Sequence, residues 1–159
     1  MSLFAYGTLM TADGLRGVLG ARADRLVFRR ARLFGWRRIW NGERPQWDGA
    51  ILNVEPHDGA EVVGVLVEGL SPEDWMRLDE QERSHLPRES VGVALEDGQR
   101  VPAQLYRQRR PAGAARPSVR YQQVVIERAR QAGAAVLESL VRDSVDASGG
   151  RLALPRLAS

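Results

Sequence analysis

The stretch SPEDWMRLDEQE, residues 71–82, has the composition and spacing of a short helix with a defined start. Ser71 is a favoured N-cap residue, a proline follows at the first helical position, and two acidic residues lie near the positive end of the helix dipole. Trp75 and Leu78 then begin an apolar stripe at helical spacing. Glu82 comes four residues after Leu78 and seven after Trp75, so it continues the same stripe.

A carboxylate that continues a buried face is costly unless it is paired or used. Burial raises the pKa of such a group toward the range in which it acts first as a base and then as an acid. The alternative is a helix that ends at Gln81 and leaves Glu82 solvated in the next loop. Spacing alone leaves both possibilities open.

Composition limits the kinds of chemistry that are possible. The chain has 159 residues, of which 43% are hydrophobic, as expected for one globular domain with a core. It has no cysteine, which excludes disulfides, thiolate metal sites and a cysteine nucleophile. Its two histidines, His57 and His85, are too few for a three-histidine metal site. The N-terminus lacks a basic leader, and no run is long enough to span a membrane, so we expect a cytoplasmic protein without a membrane partner.

The formal net charge is +3, and all 23 basic residues are arginine. A basic balance can indicate a nucleic-acid partner. These arginines are scattered along the chain and matched by 20 acidic residues, and the absence of lysine suggests codon bias. We therefore expect no nucleic-acid partner; the basic loop from Arg107 to Arg116 is the one segment that would carry such a role.

The N-terminal segment combines a strand with a turn. The apolar run Ser2 to Tyr6 ends at Gly7 and predicts a first buried strand. Successive amides in the following Tyr6-Gly7-Thr8-Leu9 turn can converge on a carboxylate or phosphate. The alternative is an ordinary strand and turn that binds no ligand. From Thr11 to Gly20 we expect a linker or a weak helical turn.

The rest of the chain alternates strands and turns before it becomes helical. Strands are predicted over Ala23–Trp36, Gly49–Val54, Glu61–Leu70, Glu89–Leu95 and Arg100–Tyr106. Loops are predicted over Asn41–Asp48, 55–59, Arg83–Pro87 and Gln108–Arg116. In the first of them Trp47 could line a pocket. His57 in the second is expected to be exposed, His85 lies in the third, and the fourth is expected to be mobile. Helices are predicted from Pro117-Ser118 to a break at Gly133, and over Ala134–Val145.

This order predicts an α+β fold. Sequential strands without regular helical crossovers favour a small mixed, largely antiparallel sheet that closes toward a β-barrel with flanking helices. We expect a single domain over residues 1–147 and a loosely packed tail over 148–159. A monomer and a homodimer are both compatible with the sequence.

Several separate motifs occur in one order along the chain. They are Phe-Ala-Tyr-Gly-Thr-Leu (4–9), a tryptophan-glycine region before Ala50-Ile51, Val-Gly-Val-Leu (63–66), Leu-Asp-Glu-Gln-Glu (78–82) and Pro-Ser-Val-Arg-Tyr (117–121). Together they resemble the gamma-glutamylcyclotransferase superfamily over Leu3 to about Val145. The resemblance implies a small mixed β-barrel with flanking helices.

The resemblance also implies an enzyme and assigns roles. Glu82 matches the family's catalytic glutamate, and Tyr6, Gly7, Thr8 and Leu9 match the loop that holds the α-carboxylate of a glutamyl unit. Tyr121 matches a tyrosine that borders the substrate pocket. In the implied reaction the α-amine of a small γ-glutamyl substrate attacks its own γ-amide and releases 5-oxoproline and an amine or amino acid. No metal or cofactor is implied.

Two departures from the family pattern fall at the expected pocket rim. Arg83 stands where a glycine is common, and Leu86 or Pro87 where an aromatic residue is common. Because of these departures, the sequence does not determine the leaving group. The candidates are a γ-glutamyl-lysine-type amine and a γ-glutamyl cap on a biosynthetic intermediate. A non-catalytic module that binds a small acid in the same pocket is the alternative from another class.

Overall fold

The structure, a computed structural model, describes residues 1–111 and 116–154. Within these residues the strands are β1 (Leu3–Ala5), β2 (Val27–Gly42), β3 (Ile51–Glu68), β4 (Glu89–Leu95), β5 (Arg100–Leu105) and β6 (Val145–Asp146). The helices are α1 (Ala12–Leu19), α2 (Pro72–Gln81), α3 (Val119–Ala132) and α4 (Ala134–Asp143), and short 3-10 helices cover Gly20–Arg25 and Arg83–His85.

The strands form a closed β-barrel in the order β3-β1-β5-β4-β2, because β2 also pairs with β3. β1 and β5 are parallel, and the other pairs within the barrel are antiparallel. β6 is added beside β2 in parallel. The predicted α+β fold with a mixed, largely antiparallel barrel and flanking helices is therefore confirmed.

β3 corrects the prediction of two strands joined by a turn over 55–59. The chain forms one strand from Ile51 to Glu68, paired with β2 on both sides of a bulge. Phe34 pairs with Glu61 and Trp36 with Pro56, so the turn-forming residues bulge out of the ladder opposite Gly35. Long pairing with β2 on either side keeps the strand continuous, and a bulge absorbs the extra residues. His57 is exposed there, as predicted.

The predicted linker over Thr11–Gly20 is instead the helix α1. The Thr11 side chain caps it by accepting a hydrogen bond from the Gly14 N–H at 3.2 Å. Leu15 and Leu19 are buried. Three glycines in the segment (14, 17 and 20) weaken its intrinsic helix propensity, and tertiary packing of the two leucines overrides that preference.

Some predicted boundaries also move. β2 extends to Gly42, beyond the predicted end at Trp36 and into the predicted loop 41–48. α4 ends at Asp143 rather than Val145, because Val145 pairs with Ile39 in the sheet. The start of α3 is as predicted, with Ser118 as its N-cap. The hairpin of β4 and β5 is also as predicted, with Gly98 at a positive φ of 85° in its turn.

Within the predicted tail, Leu154 is buried and Leu152 packs against the core. Residues 155–159 lie outside the described residues, as does the central part, 112–115, of the loop predicted to be mobile. No helix in the described parts of the chain is both long and apolar enough to cross a membrane.

Candidate active site

One pocket lies between the turn after β1, the end of α2 and the loop between β2 and β3. All the residues predicted for the site line it: Tyr6, Gly7, Thr8, Leu9, Glu82 and Tyr121. Trp47, considered from the sequence as a pocket residue, also lines it, and so do three polar or aromatic residues that were not predicted for the site: Arg44, His85 and Tyr106. Apolar residues of β1 and β3 complete the wall: Leu3, Phe4, Ala5, Ile51 and Leu52.

α2 places Glu82 in this pocket. The Ser71 side chain and the Asp74 carboxylate form a reciprocal capping box that fixes the start of the helix, and Trp75 and Leu78 are buried along one face. The helix ends at Gln81, but Glu82 is only 8% exposed. The helix thus ends at Gln81, as the alternative expectation had it, but Glu82 is buried rather than solvated.

Local hydrogen bonds explain how a residue past the helix end stays buried. The Glu82 N–H donates to the Leu78 carbonyl at 2.8 Å, and the His85 N–H donates to the Glu82 carbonyl at 2.8 Å. These bonds continue the helical winding into the 3-10 helix Arg83–His85. The Glu82 side chain consequently stays on the buried side of the chain.

Burial raises the pKa of the Glu82 carboxyl above its usual value, and the neighbouring Arg44 guanidinium opposes that rise without cancelling it. Nη2 of Arg44 contacts Oε2 of Glu82 directly. The Arg44 side chain is itself only 13% exposed. Glu82 is thus a stronger base than a free glutamate and is charge-paired in the structure.

His85 lies beside this pair, although the sequence placed it only in a loop. It is 3% exposed, and its Nδ1 is 3.6 Å from Oε2 of Glu82 and 2.9 Å from Oγ of Ser84. Burial, and secondarily Arg44, lowers the pKa of His85 to about 4. The imidazole is therefore neutral at neutral pH.

The turn after β1 is held close to Tyr121. A Cβ at Gly7 would lie 3.1 Å from the Tyr121 hydroxyl oxygen, so glycine permits the approach. Tyr121 is buried between Trp40 and Trp47, with edge-on ring contacts at centroid distances of 5.7 and 5.1 Å. Burial, reinforced by the negative charge of Glu82, raises the pKa of Tyr121, which keeps its hydroxyl protonated.

Tyr6 and Tyr106 form another part of the pocket wall. The Tyr6 hydroxyl donates to the Tyr106 carbonyl at 2.5 Å, and the Tyr106 hydroxyl donates to the Asp79 carboxylate at 2.7 Å. Arg88 pairs with Asp79 at 3.0 Å and lies 4.4 Å from the centroid of the Trp75 ring. These contacts tie β5 to α2 and orient both tyrosines.

The loop that carries Arg44 and Trp47 is anchored from a distant part of the chain. The Gln108 side chain accepts from the Glu43 N–H at 2.8 Å and donates to its carbonyl at 2.9 Å. The buried Asn53 side chain in turn bonds both backbone groups of Gln108, at 2.9 and 2.8 Å. These polar side chains mimic strand pairing, which places Arg44 without a regular element.

The predicted rim residues Arg83 and Leu86 are both exposed and do not line the pocket. Arg83 lines an adjacent groove that begins at Arg44. Among the described residues, no group of three or more histidine, aspartate or glutamate side chains is arranged to hold a metal ion. The site brings together a buried carboxylate, backbone amides in a turn and one partly buried cation, a set that can bind a small zwitterion and move a proton.

Comparisons with known proteins agree with this architecture. Among solved structures, an uncharacterized protein from Homo sapiens is 24% identical with a TM-score of 0.72, over 83% of this chain and 79% of its own. A protein named gamma-glutamyl cyclotransferase is 23% identical with a TM-score of 0.69, over 84% of this chain and 80% of its own. YkqA from Bacillus subtilis is 23% identical with a TM-score of 0.63, over 88% of this chain and 52% of its own. At these identities the likeness shows a shared fold.

No curated protein sequence matches the chain. The profile of the family described as "Gamma-glutamyl cyclotransferase, AIG2-like" matches residues 3–127. That range covers most of the 159 residues and contains the turn after β1, α2 with Glu82, and Tyr121. The chain therefore belongs to the gamma-glutamyl cyclotransferase, AIG2-like family.

Proposed function

We propose that this chain is a γ-glutamyl cyclotransferase, which converts a γ-glutamyl amide into 5-oxoproline and a free amine or amino acid. The observation that carries the proposal is the buried Glu82 carboxylate, with a raised pKa, in one pocket with the Tyr6-Gly7-Thr8-Leu9 turn. The family match supports the reaction class. Both reacting groups belong to one substrate, so the first task of the site is to hold that substrate folded.

In this proposal the turn after β1 binds the α-carboxylate through its backbone amides. The same amides, or a neighbouring one, stabilise the oxyanion that forms when the γ-carbonyl is attacked. The protonated Tyr121 hydroxyl, which lies against Gly7, borders the folded glutamyl chain. Apolar residues of β1 and β3 exclude water from its methylene groups.

Glu82 moves two protons in turn. The α-amine enters as an ammonium, since α-amines have pKa values of about 8. Glu82 takes one proton, the free amine attacks the γ-carbon, and the first proton passes to the leaving nitrogen. Glu82 takes a second proton from the new ring nitrogen and transfers it as the γ-carbon to leaving-nitrogen bond breaks. The lactam keeps one N–H, and the leaving group departs as an ammonium.

The test is release of 5-oxoproline, measured by mass spectrometry, from a panel of γ-glutamyl amino acids and γ-glutamyl amines. Glu82→Gln keeps the size of the side chain and its polar contact with Arg44, and we expect it to retain the fold and lose activity by roughly 100-fold or more. Glu80→Gln is the matched control, because Glu80 lies two residues away on an exposed face. Its one ion pair among the described residues is with Arg83, at 3.5 Å.

The pH dependence of the same assay is a second check. Because the pKa of Glu82 is raised, activity should fall on the acid side at a pH above the ordinary glutamate value of 4.5. Full activity of Glu82→Gln would show that Glu82 is not the base. Stabilisation by small γ-glutamyl acids without turnover in the unmodified protein would instead support a binding module.

A further inference from the structure

Arg44 has no assigned part in the cyclisation described above, although it is the only arginine among the described residues that line the pocket. Its side chain is 13% exposed and its guanidinium contacts Glu82. A buried charge is costly unless an opposite charge compensates it. In the structure Glu82 supplies that compensation.

A bound substrate changes this balance. Its α-ammonium must reach Glu82 to give up a proton, so two cations would then share one carboxylate. Glu82 is the only carboxylate among the described residues that line the pocket. The second negative charge that Arg44 needs must therefore come from the substrate.

The glutamyl unit has a single carboxylate, which the proposed mechanism gives to the turn after β1. A second carboxylate has to belong to the leaving group. Arg44 also lines an adjacent groove, together with Pro45, Gln46, Gln81, Arg83 and Ser84. The charged residues of that groove are Arg44 and Arg83. Arg83 pairs at the surface with Glu80, at 3.5 Å.

The backbone beside Arg44 is anchored by hydrogen bonds within the protein. Gln108 holds both backbone groups of the adjacent Glu43, and Asn53 holds both backbone groups of Gln108. The Arg44 guanidinium, carried by this anchored backbone, suits a carboxylate because it presents parallel N–H donors to both oxygens.

We propose that Arg44 is the specificity-determining residue of this site and that it binds a carboxylate of the leaving group. The substrate class is then γ-glutamyl amino acids or γ-glutamyl peptides rather than γ-glutamyl amines. This inference rests on the proposed function, since it takes Glu82 as the group that receives the ammonium. It goes beyond that function by naming the leaving group and the residue that recognises it.

The test compares γ-glutamyl-alanine with γ-glutamyl-ethylamine, which differ by one carboxylate. We expect kcat/KM to favour the alanine compound by about tenfold or more in the unmodified protein. Arg44→Gln should abolish that preference, because the alanine compound loses more activity than the ethylamine compound does. Any change in the basicity of Glu82 affects both substrates alike and cancels in the ratio. Arg83→Gln, at an exposed position, should keep most of the preference.

An equal loss on both substrates in Arg44→Gln would overturn the proposal, because Arg44 would then act on the glutamyl unit or on Glu82 alone. A preference of the unmodified protein for the ethylamine compound would overturn it as well. In both cases the proposed function would stand.

Binding without turnover separates the two proposals. Calorimetric titration of the Glu82→Gln variant with the same two compounds should show tighter binding of the alanine compound. The double variant that combines Glu82→Gln and Arg44→Gln should show no such preference. If the unmodified protein releases no 5-oxoproline and this binding pattern is still found, the proposed function fails while the carboxylate site stands. Equal or absent binding of both compounds overturns the carboxylate site.

Discussion

The two histidines of the chain have opposite environments. His85 is 3% exposed beside Glu82 and Arg44, and its pKa is lowered to about 4 from 6.5. Between these pH values the unfolded chain binds a proton at this position that the folded chain does not. The contribution of this group to stability is therefore present above pH 6.5 and is lost as the pH falls toward about 4.

We expect His85→Asn to weaken the loss of stability on acidification. The shift corresponds to about 3 kcal/mol in the unfolding free energy of the natural chain. Urea unfolding at about pH 7.5 and about pH 4.5 should therefore show a smaller difference between the two pH values for the variant. His57→Asn is the matched control, because His57 is exposed in the bulge of β3. The stability of this variant should change with pH as much as that of the natural chain. The same pH dependence in His85→Asn and His57→Asn would contradict the prediction.

Individual contacts were the hardest part of the site to predict. Sequence spacing predicted that Glu82 shares a face with Trp75 and Leu78, because four-residue spacing on a helix is a local property. Its contact with Arg44 joins two residues that are 38 positions apart, and no local pattern encodes such a pair. The tryptophan in the same loop was the one available signal, since a large aromatic residue in a polar loop often covers a pocket.

At the scale of elements, α1 supports the turn after β1. A Cβ on Gly14 would overlap the carbonyl oxygen of Thr8 and lie 2.9 Å from its carbonyl carbon. These are backbone atoms of the turn that we propose as the carboxylate site, so no side chain can move aside. Gly14 therefore allows the helix to pack directly against the turn.

Gly14→Ala should displace the turn, raise KM for γ-glutamyl substrates and lower thermal stability. The overlap with backbone has to be relieved by moving the helix or the turn, which costs on the order of 1–3 kcal/mol. Gly17→Ala is the matched control on the same helix, since nothing lies within 4 Å of a Cβ there. It should raise stability by up to about 1 kcal/mol through helix propensity and leave KM unchanged. A KM for Gly14→Ala equal to that of Gly17→Ala would contradict the role of Gly14.

The elements that were predicted well have strong local signals. α2 has a cap, a proline and an apolar stripe, and the hairpin of β4 and β5 has an Asp-Gly turn at residues 97 and 98. α1 was missed because its glycines lower helix propensity, whereas its stability comes from packing. β3 was divided because Glu-Pro-His-Asp-Gly (55–59) has turn composition, and only the partner strand β2 shows that these residues form a bulge.

At the scale of the whole molecule, Arg38 joins parts of the fold that are far apart in sequence. It lies on β2, is 2% exposed, and donates to the Tyr6 carbonyl at 2.9 Å, the Val63 carbonyl at 2.7 Å and Oγ of Ser139 at 3.0 Å. Burial lowers its pKa to about 10, so it is still charged at neutral pH. One side chain thus connects the turn after β1, the strand β3 and the helix α4 behind the pocket.

Arg38→Met should therefore affect both the barrel and the site. It leaves two buried carbonyl acceptors without their donor and weakens the contacts of a buried hydroxyl, and an unsatisfied buried polar group costs about 1–3 kcal/mol. We expect a loss of at least about 3 kcal/mol in unfolding free energy, measured by chemical denaturation. Release of the Tyr6 carbonyl should also let the turn move, which raises KM more than it lowers kcat.

Arg37→Met is the matched control, because the neighbouring arginine points to the opposite side of β2 and pairs with Glu55 at 3.0 Å near the surface. Loss of that pair should cost no more than about 1 kcal/mol and leave KM unchanged. If Arg38→Met does not fold, Arg38→Lys keeps the charge with fewer donors, and it should fold with a KM that is still raised. Equal stability of Arg37→Met and Arg38→Met, or an unchanged KM in a folded Arg38 variant, would show that the turn is held without this buried arginine.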